Sequence, residues 1–251
     1  MQFDFTGKII IVTGGTRGIG KSIAEHFAAL GGEVIATGTD LDRLSAAQGL
    51  TFRRERRANY FHLDFLEDGS CDSFVTEVEE CYGRVDILVN NAGINEVGAI
   101  GETSTVDFEN VMKVNVTGPL QLLQETSVMM KKNGYGRIVN VASIFGVVAR
   151  DKRVSYITSK NALIGLTKAA AVDLAPYNIL VNAVSPGFVA TEMTKRMLAD
   201  PRERDALLAK VPLRRCAEPD EIAKVVLFLT SDLNTFITAQ NIIVDGGFVS
   251  V

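Results

Sequence analysis

A chain of 251 residues, 47% apolar and 22% charged, can bury a sizeable core and lies outside the compositions of disordered and fibrous proteins. Its net charge of −4 creates no field favouring nucleic acid or an anionic membrane, and no apolar run reaches the ~18 residues of a membrane span. Three scattered cysteines (Cys71, Cys81, Cys216) and two separated histidines (His26, His62) fit neither a disulfide framework nor a metal site, and MQFDFTGK lacks a basic-then-apolar leader pattern, so a reduced, metal-free, cytoplasmic protein is expected.

The first predicted strand is KIIIVTG, residues 8–14, apolar on both faces as a strand between helix layers should be. It runs into GGTRGIG and then SIAEHFAALGG, an amphipathic helix closed by glycine. Strand, glycine loop and helix in that order begin a dinucleotide-binding βαβ unit. Gly14, Gly18 and Gly20 give a G-x-x-x-G-x-G spacing, which lets the backbone turn tightly and bring a pyrophosphate onto the helix N-terminus. A plain glycine turn is the bland alternative.

The second strand, EVIATG at 33–38, ends where a ribose would be read. An acid there would hold the 2′-hydroxyl of NAD and repel the 2′-phosphate of NADP. The chain has Gly38 and Thr39 at that point, with Asp40 late, and Arg17 in the loop is a planar cation suited to a phosphate. NADP(H) is therefore favoured. Asp40 suits the cap of a helix DLDRLSAAQ; if it swings inward instead, NAD(H) is preferred.

A third strand is expected at YFHLDF, 60–65, with Asp64 at its end as an adenine contact or a cap, and the basic run RRERR at 53–57 reads as a solvated loop. A helix over 69–83 is closed by Gly83, and DILVNNAG, 86–93, runs buried aliphatics into small and amide residues. Asn91, Ala92 and Gly93 would let a flat ligand approach. Residues 98–133 form two apolar-patterned segments. RIVNVAS (137–143) is a buried strand ending in Ser143, and Tyr156 and Lys160 share one helix face, one turn apart. LVNAVSPG (180–187), a polar stretch at 189–215, a helix at 219–232 starting with proline and acids, and NIIVDGG (241–247) complete the chain. His26 and His62 fall on core-like patterns and receive no catalytic role.

The series TGGTRGIG at 13–20, NNAG at 90–93, Asn115 in KVNVTGP, Ser143, YITSK at 156–160 and SPG at 185–187 resembles the short-chain dehydrogenase/reductase family. Each motif alone is weak; their order and spacing along the whole chain are specific. The resemblance implies an α/β fold: one Rossmann-type domain over residues 1–251, a doubly wound, seven-stranded parallel sheet with helices on both faces. Seven strands are also counted above. It implies cofactor contacts at Gly14, Thr16, Arg17, Gly18, Ile19, Gly20, Thr39, Asp64, Asn91, Ala92, Gly93, Tyr156, Lys160, Pro186, Gly187, Val189 and Thr191, and catalytic roles for Asn115, Ser143, Tyr156 and Lys160. Segment 189–215 corresponds to a substrate lid, and 98–133 to a helix pair that packs against a second subunit of a dimer or tetramer. Its Met/Leu stripe could equally be intramolecular core.

The chemistry implied is hydride transfer between NADP(H), or less favourably NAD(H), and a ketone or secondary alcohol. A phenol titrates at about 10, and a nearby ammonium commonly lowers such a value by about 1–3 units. Lys160 could supply that charge to Tyr156, making the phenol an acid in one direction and a base in the other. Ser143 would hydrogen-bond the developing oxyanion. By resemblance, Asn115 kinks its helix and holds a water linking Lys160 to solvent. A 3-oxoacyl thioester or a sugar-acid-like ketone are the candidate substrates. The loop Arg150–Arg153 could face an anionic group, although a solvated loop is its ordinary reading, and Val172 and Asp173 argue mildly against carrier-protein docking. A catalytically silent NADP-binding sensor or scaffold is the alternative, weakened because every catalytic position is filled.

Overall fold

Alternating side-chain direction organises the sheet. Within strand β1 (Ile9–Val12), Ile10 and Val12 enter one apolar cluster and Ile11 the other, so the strand feeds a core on each face. The computed structural model describes residues 3–40, 42–44, 51–52, 56–192, 194 and 199–251. Strands β2 (Glu33–Gly38), β3 (Thr51–Phe52), β4 (Arg56–His62), β5 (Ile87–Asn90), β6 (Gly136–Val141), β7 (Ile179–Pro186) and β8 (Asn241–Val244) join β1 in one sheet of order β3-β4-β2-β1-β5-β6-β7-β8. Seven of these strands run parallel, as expected. The two-residue β3 is an addition, antiparallel to β4 at the edge.

Helix α1 (Gly18–Ala29) packs on α7 (Pro219–Thr230) over one face, where Ile10, Val12, Phe27, Val34, Ile222 and Val226 are buried together. Helices α2 (Ser70–Tyr82), α4 (Gly118–Asn133) and α5 (Val154–Leu174) cover the other face, burying Ile11, Phe74, Leu88, Leu122, Met130 and Leu174. Burying both faces explains why β5 and β6 are enclosed along their whole length. Helix α3 (Thr105–Met112), capped by Ser104, continues into α4 through one π-helical turn, Lys113–Thr117. A short helix α6 (Pro201–Leu208) lies within the 189–215 stretch.

Several expectations are corrected. Arg56 and Arg57 belong to β4 rather than to a loop, and residues 53–55 of that basic run lie outside the described residues. Asp40 caps as expected, accepting the Arg43 N–H at 3.0 Å, while residues 45–48 of the proposed helix lie outside the described residues. The Met/Leu stripe of α4 is intramolecular, with Leu122, Leu123, Met129 and Met130 in the core. His26 is half-buried rather than core, and its Nε2 lies 2.7 Å from Asp220 Oδ1, tying α1 to α7. No described helix is long and apolar enough to cross a membrane.

Strand β1 lies between β2 and β5, where the winding direction of the sheet reverses. Above the carboxyl ends of β1 and β5 such a reversal leaves a crevice, the usual ligand position in an open parallel sheet.

Candidate active site

The crevice floor is made by close backbone packing. At Gly20 a β-carbon would overlap the Gly14 carbonyl oxygen and Asn91 Nδ2, so the glycine loop, the start of α1 and the exit of β5 meet at a spacing only glycine permits. Thr13 Oγ1 accepts the N–H groups of Asn91 and Ala92, each at 2.9 Å, and Asn91 Nδ2 donates to the Thr13 carbonyl at 2.9 Å. Asn90 Nδ2 donates to Asn140 Oδ1, and Asn140 Nδ2 to Thr167 Oγ1, both at 2.9 Å, so the amides tie β5, β6 and α5 together. A flat, shallow-walled cradle at a helix N-terminus suits a pyrophosphate and its nucleosides.

Gly93 marks the other end of the crevice. A β-carbon there would lie 3.2 Å from Asn115 Oδ1 and 3.6 Å from Lys160 Nζ. Asn115, fully buried, sits in the π-helical turn. Its Oδ1 accepts the Ile94 N–H at 2.9 Å, and its Nδ2 donates to the Ile94 carbonyl at 2.9 Å and to Ser159 Oγ at 3.0 Å. Ser159 Oγ in turn donates to the Tyr156 carbonyl at 2.8 Å. The segment after β5 and helix α5 are thereby locked in one register.

Ser143, at the end of β6, begins a 3-10 turn, and its hydroxyl accepts the Phe145 N–H at 3.1 Å. The same hydroxyl shares a hydrogen bond with the Tyr156 phenol. The Phe145 ring meets Tyr156 edge-on at 6.5 Å between centroids. Lys160 is buried, donates from Nζ to the Val141 carbonyl at 2.9 Å, and lies 5.6 Å from the Tyr156 ring centroid. Ser143, Tyr156, Lys160 and Asn115 thus converge as their order in the chain implied.

The electrostatics differ from the expectation. Burial raises the Tyr156 phenol above its ordinary value, opposed by the Ser143 hydrogen bond and by the charge of Arg153. Burial lowers the Lys160 ammonium to about 8. Desolvation disfavours both charged forms here, so Ser143 and Arg153, rather than Lys160, provide the forces that lower the phenol. Arg153 is half-buried and joined to Gly98 by an isolated parallel bridge, whereas Arg150, Asp151 and Lys152 are exposed. Of that charged loop, Arg153 acts on the Tyr156 phenol.

The ribose end combines distant pieces. Thr39 is exposed beyond β2, and Arg17 Nη1 and Arg43 Nη1 lie 3.3 and 3.4 Å from Glu192 Oε2. Asp40 is engaged with Arg43, Nε to Oδ2 at 3.0 Å, and does not swing inward. Asp64 closes a turn rather than capping a helix, its Oδ1 accepting the Leu66 N–H at 2.8 Å. Beyond Pro186, the Gly187 N–H donates to the Val244 carbonyl at 2.9 Å, Val189 is buried and bridged to Ala217, and the Thr191 methyl lies 3.5 Å from a β-carbon built on Gly18. The SPG segment therefore returns to the glycine loop, where Thr16 and Ile19 also lie. Thr13, Ser159, Arg43 and Glu192 were missed from sequence. Ser159 and Thr13 sit inside quoted motifs and were legible there, but the Arg43–Glu192 pairing spans 149 residues and has no local signal.

Relatives bear on these positions. A family model described as "Enoyl-(Acyl carrier protein) reductase" matches residues 14–249. The 3-oxoacyl-[acyl-carrier-protein] reductase FabG of Aquifex aeolicus is 40% identical over 248 residues, covering 98% of this chain and 99% of the relative. Among solved structures, a gluconate 5-dehydrogenase from Burkholderia cenocepacia, in complex with NADP and tartrate, superposes with a TM-score of 0.92 at 30% identity, covering 99% of this chain and 98% of the other. A short-chain type dehydrogenase/reductase from Mycobacterium marinum gives 0.91 at 31% identity, with coverage of 99% and 98%. Similarity of this extent, carried on the same doubly wound sheet, means that the chain belongs to the short-chain dehydrogenase/reductase family and is an NAD(P)-dependent oxidoreductase of the CH–OH/C=O pair.

Proposed function

We propose that the protein transfers a hydride between NADP(H) and a ketone or secondary alcohol, with Tyr156 as the acid/base. The observation that carries this reading is the convergence of Tyr156, Ser143 and Lys160 beside Gly93 at the end of the nucleotide cradle. Gly14, Thr16, Arg17, Gly18, Ile19 and Gly20 would hold the phosphates, with Thr39 near the ribose. Asn91 to Gly93, Pro186, Gly187, Val189 and Thr191 would line the rest, and Asp64 remains the candidate for the adenine side. When bound, the nicotinamide nucleotide supplies a hydride in reduction and accepts one in oxidation.

In reduction, negative charge grows on the substrate oxygen. The Tyr156 hydroxyl donates a proton to that oxygen, and a phenol kept protonated by burial is well suited to this direction. Ser143 Oγ donates a second hydrogen bond to the same oxygen and fixes its position. Lys160 Nζ would hold the nicotinamide ribose. Asn115 would hold a water that links Lys160 to solvent and so returns a proton to it. In oxidation the same groups work in reverse, with the phenolate as base.

A 3-oxoacyl thioester and a sugar-acid-like ketone are the substrate classes supported, the first by the Aquifex relative and the second by the gluconate 5-dehydrogenase neighbour. We further propose a single domain over residues 1–251, residues 189–215 as a substrate lid, and a cytoplasmic homo-oligomer, dimer or tetramer. The test is turnover of a panel of 3-oxoacyl thioesters, keto sugar acids and cyclic ketones with NADPH and NADH, using wild type and Tyr156→Phe. The expectation is higher kcat/KM with NADPH and a loss of at least ~100-fold in Tyr156→Phe, the range of general acid catalysis. A rate within a few-fold of wild type in the variant removes Tyr156 as the proton donor, and a clear NADH preference removes the cofactor assignment.

A further inference from the structure

Glu192 lies at the start of the 189–215 stretch, yet its carboxylate sits between two cations of the nucleotide site. Oε2 is 3.3 Å from Arg17 Nη1, which comes from the glycine loop, and 3.4 Å from Arg43 Nη1, which comes from beyond β2. Both arginines hold Glu192 below the ordinary carboxylate range, Arg43 more strongly than Arg17. Arg43 is shared with Asp40 at 3.0 Å. Among the described residues, two guanidinium groups therefore face two carboxylates, and these four charges cancel where a 2′-phosphate would be read.

The position of Glu192 is built rather than incidental. The Ala190 N–H donates to the Ala217 carbonyl at 2.9 Å, Thr194 Oγ1 donates to the Val189 carbonyl at 2.5 Å, and the Thr191 N–H donates to Thr194 Oγ1 at 3.0 Å. These bonds fix the turn internally and to Ala217, with the Thr191 methyl packed towards Gly18 of the glycine loop. A 2′-phosphate, at roughly −1.5 to −2 near pH 7, can displace an exposed carboxylate from the arginines by rotating its side chain. It cannot send the charge far, because the backbone is tied. The displaced carboxylate stays within the ~8 Å over which charges interact at physiological salt.

We propose that Glu192 is a specificity-determining residue that weakens discrimination between cofactors with and without a 2′-phosphate, by occupying the arginine pair and then repelling the phosphate that replaces it. This rests on the nucleotide site described above. The test is calorimetric titration of the full chain with two fragments, 2′,5′-ADP and 5′-AMP, and the ratio of their Kd values is the readout. Glu192→Gln raises the preference for 2′,5′-ADP by roughly three- to tenfold, the scale of two exposed ion pairs. In an Arg17→Gln/Arg43→Gln background the same substitution raises the ratio by less than it does in the wild-type background, because only the repulsion remains to be relieved. A ratio unmoved by Glu192→Gln, or moved as much without the arginines, overturns the proposal. An NADH preference in the wild-type enzyme would overturn the cofactor assignment instead, and leaves this comparison intact because it is read against wild type.

Discussion

At Lys160 a buried cation and a catalytic requirement conflict. The side chain is 4% exposed, its one hydrogen bond is to the Val141 carbonyl, and burial lowers its pKa from 10.5 to about 8. At pH 7 the ammonium is charged in both folded and unfolded chains, so the folded state bears a penalty of about 3 kcal/mol, at 1.36 kcal/mol per pKa unit. Between about 8 and 10.5 the unfolded chain binds more protons than the folded one, and stability rises with pH. Lys160→Met is therefore expected to raise Tm by a few degrees at pH 7, with the gain shrinking towards pH 10, while turnover is lost. Thermal denaturation followed across that range checks it; a variant less stable than wild type at pH 7 contradicts the assigned penalty. Tyr156 presents the complementary case. Its raised value leaves little phenolate at neutral pH, so alcohol oxidation should accelerate with pH from 7 towards 10. A pH profile of kcat in the oxidative direction that is flat over this range would contradict the raised phenol.

The π-helical turn Lys113–Thr117 is the element on which the site's geometry depends. It interrupts an otherwise continuous helix and turns Asn115 inward, where one amide satisfies both backbone groups of Ile94 and reaches Ser159 on α5. Inserted π-helical turns frequently accompany functional sites. Asn115→Ala removes the partner of the part-buried N–H and carbonyl of Ile94 and the buried bond to Ser159, where an unsatisfied buried group costs about 1–3 kcal/mol. The expected result is a loss of about 2–4 kcal/mol, seen as a lower urea midpoint with an unchanged slope. A midpoint within error of wild type would mean that α5 and the Ile94 segment hold their register without the amide.

On the scale of the whole molecule, apolar side chains left in solvent are spread over several elements, Ile100, Val106 and Leu213 among them. Val128 on α4 and Val172 on α5 lie on the helices of one side, and Val172 is 71% exposed. Phe228 on α7, Leu233, Phe236 and Ile243 on β8 lie on the other, and Phe236 is 97% exposed. Apolar groups exposed on both sides of the sheet would serve two self-contacts if the proposed homo-oligomer is a tetramer. Wild type is then expected at four times 27.2 kDa by size exclusion with light scattering, and Val128→Glu/Val172→Glu at half that mass. A double variant that keeps the wild-type mass excludes this face as an interface.

What the amino-acid sequence determined by itself was whatever depends on short spacing. Strand, glycine loop and helix follow one another within a few residues; β2 has the expected ends; and Tyr156 and Lys160 share a face because a helix turns once between them. The order of the family motifs then assembled Ser143 and Asn115 with them. Tertiary structure decided what depends on enclosure and on distant approach. Solvent exclusion set the directions of the Tyr156 and Lys160 pKa values, and sequence spacing carries no measure of it. The return of segment 187–192 to the glycine loop placed Glu192 against Arg17 and Arg43, a contact that exists only because the sheet brings the ends of β1, β2 and β7 to one edge.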